Sequence, residues 1–410
     1  MRWIGGAGLL VVASLSGCGR PAPPPPAPAP APPAPTLLRP IDAGQLPRLT
    51  DDLDAASLRR ALRASLSHLG RLAPEHSLSL GETKIAAQRV RRSLLRFDQL
   101  LTRTRSFAEL QGALAREFVI HRVQESADAG AGGEPPVLYT GYYEPILPGR
   151  RRADATYRYP LYRRPADLLE LELGEFVARL AGEKLVYRVA DGRAQPYYSR
   201  ADIERRGALA GRGLELIYLE DPVERFFLQI QGSGAIRLED GVLQRVGYAA
   251  SNGRPYTSVG QLLIQDGVLP RDQVSMQRIK QAFRSQPQRI AAYLERNERF
   301  IFFREVERGP IGSIGEVLTA GRSLAADPRI FPAAALAYIR VPRPELRPDG
   351  TIGAGALIER FAFIQDSGSA IVGPQHIDLF CGTGDPAGAL AGRMRQRGEL
   401  YILLLREDET

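Results

Sequence analysis

The sequence of 410 residues is 44% hydrophobic and 24% charged, which excludes a disordered chain, a collagen and a polytopic membrane protein. Its 54 Lys and Arg stand against 46 Asp and Glu, a formal charge of +8. Only Lys84, Lys184 and Lys280 are lysines, and the arginines are spread along the chain instead of forming a basic stripe with interleaved aromatics, so no nucleic-acid partner is expected.

In chain order, residues 1–17 have a charged start at Arg2, an apolar stretch from Ile4 to Leu15 and small residues up to Gly17. That is the pattern of a secretory signal, too short for a spanning helix. The run Leu15-Ser16-Gly17-Cys18 resembles a bacterial lipobox, which predicts a diacylglyceryl group on Cys18 and a lipid anchor in the membrane. Gly19 after the cysteine, in place of Asp, predicts an outer-membrane address on the periplasmic face. Residues 18–40 are then an anchor and a Pro-rich linker, about 3.1 Å long per residue where it is polyproline II. With Cys18 lipidated, Cys381 has no disulfide partner in its own chain and is expected as a small buried hydrophobe.

Residues 51–125 read as helical, with Leu58, Leu62, Leu66 and Leu69 on one face, Ile85, Val90, Leu94 and Leu95 on a second, and Leu110, Leu114 and Phe118 on a third. After the breaker run 130–136, short apolar and aromatic segments divided by Gly, Pro and Asp predict strands over 137–143, 185–189, 214–219, 226–230 and 242–248. Helices are expected over 272–284 and 287–297, then strands over 300–305, 335–341, 362–365, 377–380 and 400–405. The fold class is mainly β with helical additions, one or two closed barrels among them.

Standard catalytic constellations are missing. The glycines of 309–315 lack the Lys-Ser/Thr ending of a phosphate loop, and His68, His76, His121 and His376 have no metal spacing, so no metal and no cofactor are expected. Four polar-glycine clusters remain: Tyr139-Thr-Gly-Tyr-Tyr-Glu-Pro145, Gln231-Gly-Ser-Gly234, Gly247-Tyr-Ala-Ala-Ser-Asn-Gly253 with Tyr256, and the stretch from Gln365 to Asp378. In the last, Asp366 and Asp378 adjoin apolar strand-like segments, and Gly368, Gly373 and Pro374 turn the chain between them. Carboxyls brought into one cleft and partly desolvated keep a proton near neutral pH and serve as general acids; the competing reading is Asp capping backbone amides at a turn. Tyr139, Tyr142 and Tyr143 are either a sugar platform or ordinary strand residues. Gln231 to Gly234 reads as a tight hairpin turn.

Taken in order with Thr319-Ala-Gly-Arg-Ser-Leu-Ala-Ala-Asp327, Gln365-Asp366 and Ile377-Asp378, these clusters resemble the membrane-bound lytic murein transglycosylase A family over about residues 137–405. The resemblance implies a double-psi β-barrel built from 41–145 and 304–410, a second β domain inserted at 146–303, and a glycan groove between them. It places the catalytic acid and base on Asp378 with Asp366 in support, substrate contacts on Thr140, Gly141, Tyr142, Tyr143, Gln231, Ser233, Tyr248 and Asn252, and a structural role on Asp327. Ser369 departs from the glycine more usual at that position of the family. The implied reaction is cleavage of peptidoglycan between N-acetylmuramic acid and N-acetylglucosamine without water, leaving 1,6-anhydro ends; other cell-wall enzymes are possible partners. Two rivals stand beside it: an inverting hydrolase with Asp366 or Glu144 as base, and a glycan-binding lipoprotein without catalysis.

Overall fold

The computed structural model describes residues 38–124, 137–180, 182–271, 274–347 and 352–407. The expected signal, Cys18, nearly all of the Pro-rich linker and the breaker run lie outside the described residues. Nineteen strands follow along the described chain. The first five are β1 (Leu38–Ile41), β2 (Ser77–Leu80), β3 (Thr83–Ala86), β4 (Phe118–Val123) and β5 (Val137–Glu144). The middle of the chain supplies β6 (Ile146–Pro148), β7 (Tyr159–Tyr162), β8 (Leu169–Glu172), β9 (Lys184–Ala190), β10 (Arg193–Pro196), β11 (Glu215–Leu219), β12 (Ser233–Arg237), β13 (Leu243–Ser251) and β14 (Ile301–Val306). The last are β15 (Ser323–Ala325), β16 (Leu336–Leu346), β17 (Ile352–Asp366), β18 (His376–Thr383) and β19 (Arg395–Leu405).

Strands β19, β16, β17, β15, β18 and β5 pair in that order, and β5 pairs back to β19, closing a six-stranded barrel of mixed parallel and antiparallel ladders. Closure removes the sheet's edges, and β4 with β1 extends one side beyond β19. Helices α1 (Ala55–Arg71), α2 (Ala87–Arg103) and α3 (Phe107–Glu117) cover the barrel. Helix α1 begins where the Asp54 carboxylate accepts the Ser57 N–H at 2.7 Å, and it buries Leu58, Leu62 and Leu69 as their spacing predicts. Phe97 of α2 packs on Phe361 of β17 with ring centroids 4.9 Å apart, and truncating so buried a ring costs about 3–5 kcal/mol.

The middle of the chain forms a separate set of sheets. β6, β12, β13 and β14 make one sheet and β7 and β11 another, while isolated bridges Arg150 to Tyr218 and Arg163 to Phe303 join the two into a second ring around Leu161, Ile217, Leu228, Ile236, Val246 and Phe303. Helices α4 (Arg200–Glu204), α5 (Pro222–Gln231), α6 (Val259–Gln265), α7 (Met276–Ser285) and α8 (Ile290–Glu295) belong to this part, and α9 (Asp385–Ala391) returns to the barrel between β18 and β19.

Four sequence expectations are corrected. The segment 226–230 is the core of helix α5, not a strand: Asp221 caps it, Pro222 occupies its first turn and Gly232 ends it in the left-handed conformation, and the helix is buried on two sides, Leu228 in one cluster and Phe226 and Phe227 in another. For the same reason Gln231 to Gly234 is no hairpin turn; it is the helix end running into β12. Phe118 begins strand β4 after α3 stops, with Phe118, Ile120 and Val123 buried and Val119, His121 and Arg122 half-buried. Leu38–Pro40, assigned to the linker, already pair with β4.

Candidate active site

One row of the barrel carries the site. Asp366, Ala325, Asp378, Thr140 and Arg395 stand opposite one another on five successive strands, β17, β15, β18, β5 and β19. Paired residues share a face of the sheet. Their strand neighbours Leu324, Ile377, Leu379 and Tyr139 fill the barrel core, so the row faces outward. Strands lie about 4.8 Å apart, which sets Asp378 about 10 Å at Cα from Asp366 on one side and from Arg395 on the other.

Asp378 is partly exposed as a residue, yet its Oδ1 is sealed from solvent and has no hydrogen-bond partner. Burial pushes its carboxyl up to about 7, the Thr140 hydroxyl opposes the shift and the nearby Asp366 charge adds to it. Thr140 Oγ1 also lies 2.9 Å from His376 Nε2. Asp366 is held differently. Its Oδ2 accepts from the Tyr142 hydroxyl at 2.8 Å, and its Oδ1 accepts from the Ser313 and Ser367 N–H groups, each at 2.9 Å. Burial raises its pKa against these three donors. The loop 309–315 thus reaches the site through a backbone amide, and Gly312 is needed there because a Cβ would strike the Gln365 carbonyl. The glycines of that loop are its only mark in the sequence.

A cleft of about 520 Å³, within the about 300–1,000 Å³ usual for ligand sites, has Asp378, Asp366 and 367–371 on the barrel side and Gln231, Ser233, Tyr248, Arg299 and Arg304 on the insert side. Tyr248 is 50% exposed, a free aromatic face over the cleft. A second cleft adjoins it, sharing Ile230, Gln231 and Tyr256 and bordered by Thr140, Gly141 and Tyr143. Gln231 bridges the two halves of the molecule, its Oε1 accepting the Tyr143 N–H at 3.0 Å.

The remaining expected site residues separate by environment. Gly141 lets α9 pack on β5, since a Cβ would lie 2.8 Å from Ala391 Cα. Tyr142 lines neither cleft; its hydroxyl bonds Asp366 and its ring packs on Phe380 at 5.3 Å. Asn252 is turned into the scaffold: its Nδ2 donates to the carbonyls of Tyr198 and Glu298 and its Oδ1 accepts from Phe300 N–H, leaving nothing for a ligand. Asp327 is buried; burial works against its charge, but bonds from Arg329 and the Gly373 N–H prevail and hold its pKa below the ordinary value. Through Gly373 it pins the loop between Asp366 and Asp378. Glu144 is buried, bonded to Thr383 at 2.8 Å and 3.4 Å from Arg245, and lies four residues, about 13 Å, along β5 from Thr140. Among the described residues no cluster of His, Cys, Asp and Glu is fit to hold a metal, and no helix is long and apolar enough to cross a membrane.

Residues 138–304 match the family of the MltA specific insert domain and residues 322–404 that of the 3D domain. Membrane-bound lytic murein transglycosylase A of Vibrio cholerae is 31% identical over 291 residues, 70% of this chain and 71% of its own, and that of Escherichia coli K12 is 30% identical over 277 residues, 67% of each. The crystal structure of a membrane-bound lytic murein transglycosylase from Agrobacterium tumefaciens superposes with a TM-score of 0.74 at 30% identity, covering 90% of this chain and 98% of that one. Escherichia coli MltA with bound chitohexaose shares the fold at 23% identity, with a TM-score of 0.65 over 90% of this chain and 95% of its own. The two domain families, in this order around a closed barrel, and relatives alike over two thirds of the chain make it a member of the membrane-bound lytic murein transglycosylase A family.

Proposed function

We propose that this chain is a peptidoglycan lytic transglycosylase in which Asp378 is acid and then base. The observation that carries the reading is the Asp378 carboxyl, desolvated and with an unpartnered Oδ1 at the wall of a cleft. A pKa raised to about 7 keeps much of it protonated at neutral pH. The acid gives its proton to the glycosidic oxygen as the bond from C1 of N-acetylmuramic acid breaks, and N-acetylglucosamine leaves as the free 4-hydroxyl. The resulting carboxylate takes the proton of the C6 hydroxyl of the same muramic sugar as that oxygen bonds to C1. The 1,6-anhydro ring forms, Asp378 is protonated again and no water is consumed.

An inverting hydrolase needs a second carboxylate free to activate water. Asp366 spends its oxygens on three donors, and Glu144 is buried away from the row. Asp366, Gln231, Ser233 and Tyr248 are read as substrate-side support in the cleft. The division into 41–145 with 304–410 and an insert at 146–303 belongs to the same reading; the separate sheets support it, although β1 crosses its first boundary and β14 its last. A lipid on Cys18 and the Pro-rich run after it would hold the enzyme on the periplasmic face of the outer membrane, within reach of the glycan and of other cell-wall enzymes.

The test is mass spectrometry of sacculi digested by the protein lacking residues 1–36, beside its Asp378→Asn form. Anhydro-muropeptides from the first and none from the second are expected. Reducing ends would establish a hydrolase, and retention of glycan without any cleavage would establish a binding protein.

A further inference from the structure

The second cleft, of about 460 Å³, is left unused by the reaction just described. It opens at Thr140, the neighbour of Asp378 in the catalytic row, and its barrel wall is the chain from Ala391 to Gln396. Arg395 is the direct partner of Thr140 across β5 and β19, so its backbone is two strand spacings, about 10 Å, from Asp378. Arg393 lines the same wall two residues earlier. Neither guanidinium has a hydrogen bond or an ion pair among the described residues; only their backbone amides are engaged. Both guanidinium groups are therefore open to a ligand at the cleft, whereas elsewhere on the barrel Arg122, Arg340 and Arg360 are taken up by Glu399, Glu359 and Asp52. The opposite wall, from the insert, is largely apolar, with Phe227, Ile230, Val274, Met276 and Ile279 beside Gln231, Ser258 and Ser275.

Two free cations facing a largely apolar wall, beside the end of the row two strands from Asp378, fit an anionic peptide attached to the sugar under attack. Muramic acid carries such a group: the stem peptide on its lactyl ether has small apolar side chains and free carboxylates. We propose that the cleft beside Thr140 holds the stem peptide of the muramic acid being cleaved, with Arg393 and Arg395 pairing with its carboxylates. The inference rests on the lytic transglycosylase reading. Guanidinium forks match carboxylates in a bidentate geometry, so the arginines act in substrate choice and orientation while Asp378 does the chemistry.

The experiment uses the protein lacking residues 1–36 and two substrates, glycan strands bearing stem peptides and the same strands stripped of stems by an amidase. The unaltered protein should favour peptide-bearing strands, and that preference should shrink between about 50 and 200 mM salt as the exposed pairs are screened. In the Arg393→Gln, Arg395→Gln double variant, KM for peptide-bearing strands should rise about tenfold more than KM for stripped strands, with kcat little changed; Lys at both positions should restore part of the difference. Equal losses on both substrates, or an unaltered protein without preference for stems, would overturn the proposal, and the second outcome needs no variant to fold. Failure of the underlying reading shows separately, as reducing ends or no anhydro products from the unaltered protein in the same digests.

Discussion

Two ends of the same motif region are built to opposite rules. On the helical side of the barrel Arg322 is fully buried and all five of its N–H groups are used, on Asp51, Ser57, the Phe361 carbonyl and the Asp54 carbonyl. Gln365 beside it is as complete, donating to the Ala61 carbonyl and Ser65 while accepting from Ser323. On the outward row, one residue further along β17 and across to β18, Asp366 is held but strained by burial, and Asp378 keeps an unpaired oxygen. A buried polar group without a partner costs free energy, so it persists only where its neighbours are over-determined. The satisfied side fixes the barrel on α1 and thereby permits the unsatisfied one.

The contrast is broken most severely at the acid. Asp378→Asn should lower formation of anhydro products by about 10²–10⁴-fold, read from muropeptide profiles; a variant with a tenth of normal activity would move the role to another group. Because Asp378 ionises at about 7, kcat/KM of the unaltered protein should hold below that pH and fall above it as the acid form is lost. Next comes the satisfied side. Arg322→Ala leaves the Asp51 carboxylate buried without its cation and should cost about 3–5 kcal/mol, measured by urea denaturation; a cost under 1 kcal/mol would show the clamp to be incidental.

Smaller effects sharpen the comparison. Tyr142→Phe removes one of three donors from Asp366, which then binds its proton more tightly and repels the Asp378 charge less. The expected result is a drop in kcat of about tenfold with KM little changed, and a high-pH limb moved toward lower pH. An unmoved limb would mean that Tyr142 only packs. The smallest effect is on stability. Asp378 has a folded pKa of about 7 against about 3.9 in an unfolded chain. The native state therefore binds more protons between these values, and the contribution is full below about pH 4 and drains away as pH rises through 7. Asp378→Asn should raise Tm by about 2–4 °C at pH 8 and by nothing near pH 4, and a variant destabilised at pH 8 would contradict the desolvated carboxyl.

Much of the barrel was legible because alternation survives in its strands: Ile377 and Leu379 point inward with Asp378 between them, and 335–341, 362–365 and 400–405 are strands as their apolar runs predict. Asp366 and Asp378 were legible as a pair because the turn residues between them demanded return of the chain. Helix α5 was misread because Phe226 to Ile230 is apolar enough for either element, although Asp221-Pro222 before it and Gly232 after it are helix punctuation present in the sequence. Register was not legible at all. That Thr140 and Arg395 join the row of Asp378 depends on how β5 and β19 slide past each other, which no local pattern states. Asn252 shows the reverse failure, a motif residue whose value is in tying the insert together.

Closure of the barrel by β5 and β19 also sets a schedule. The row around Asp378 draws on residues 140, 325, 366, 378 and 395, so it does not exist until nearly the whole chain has emerged and its last strand has docked between β16 and β5. Contacts of such sequence separation form late in folding. A partly made copy lacks the last of these residues and an unfolded one has them scattered, so a wall-cutting activity is withheld until the molecule is whole.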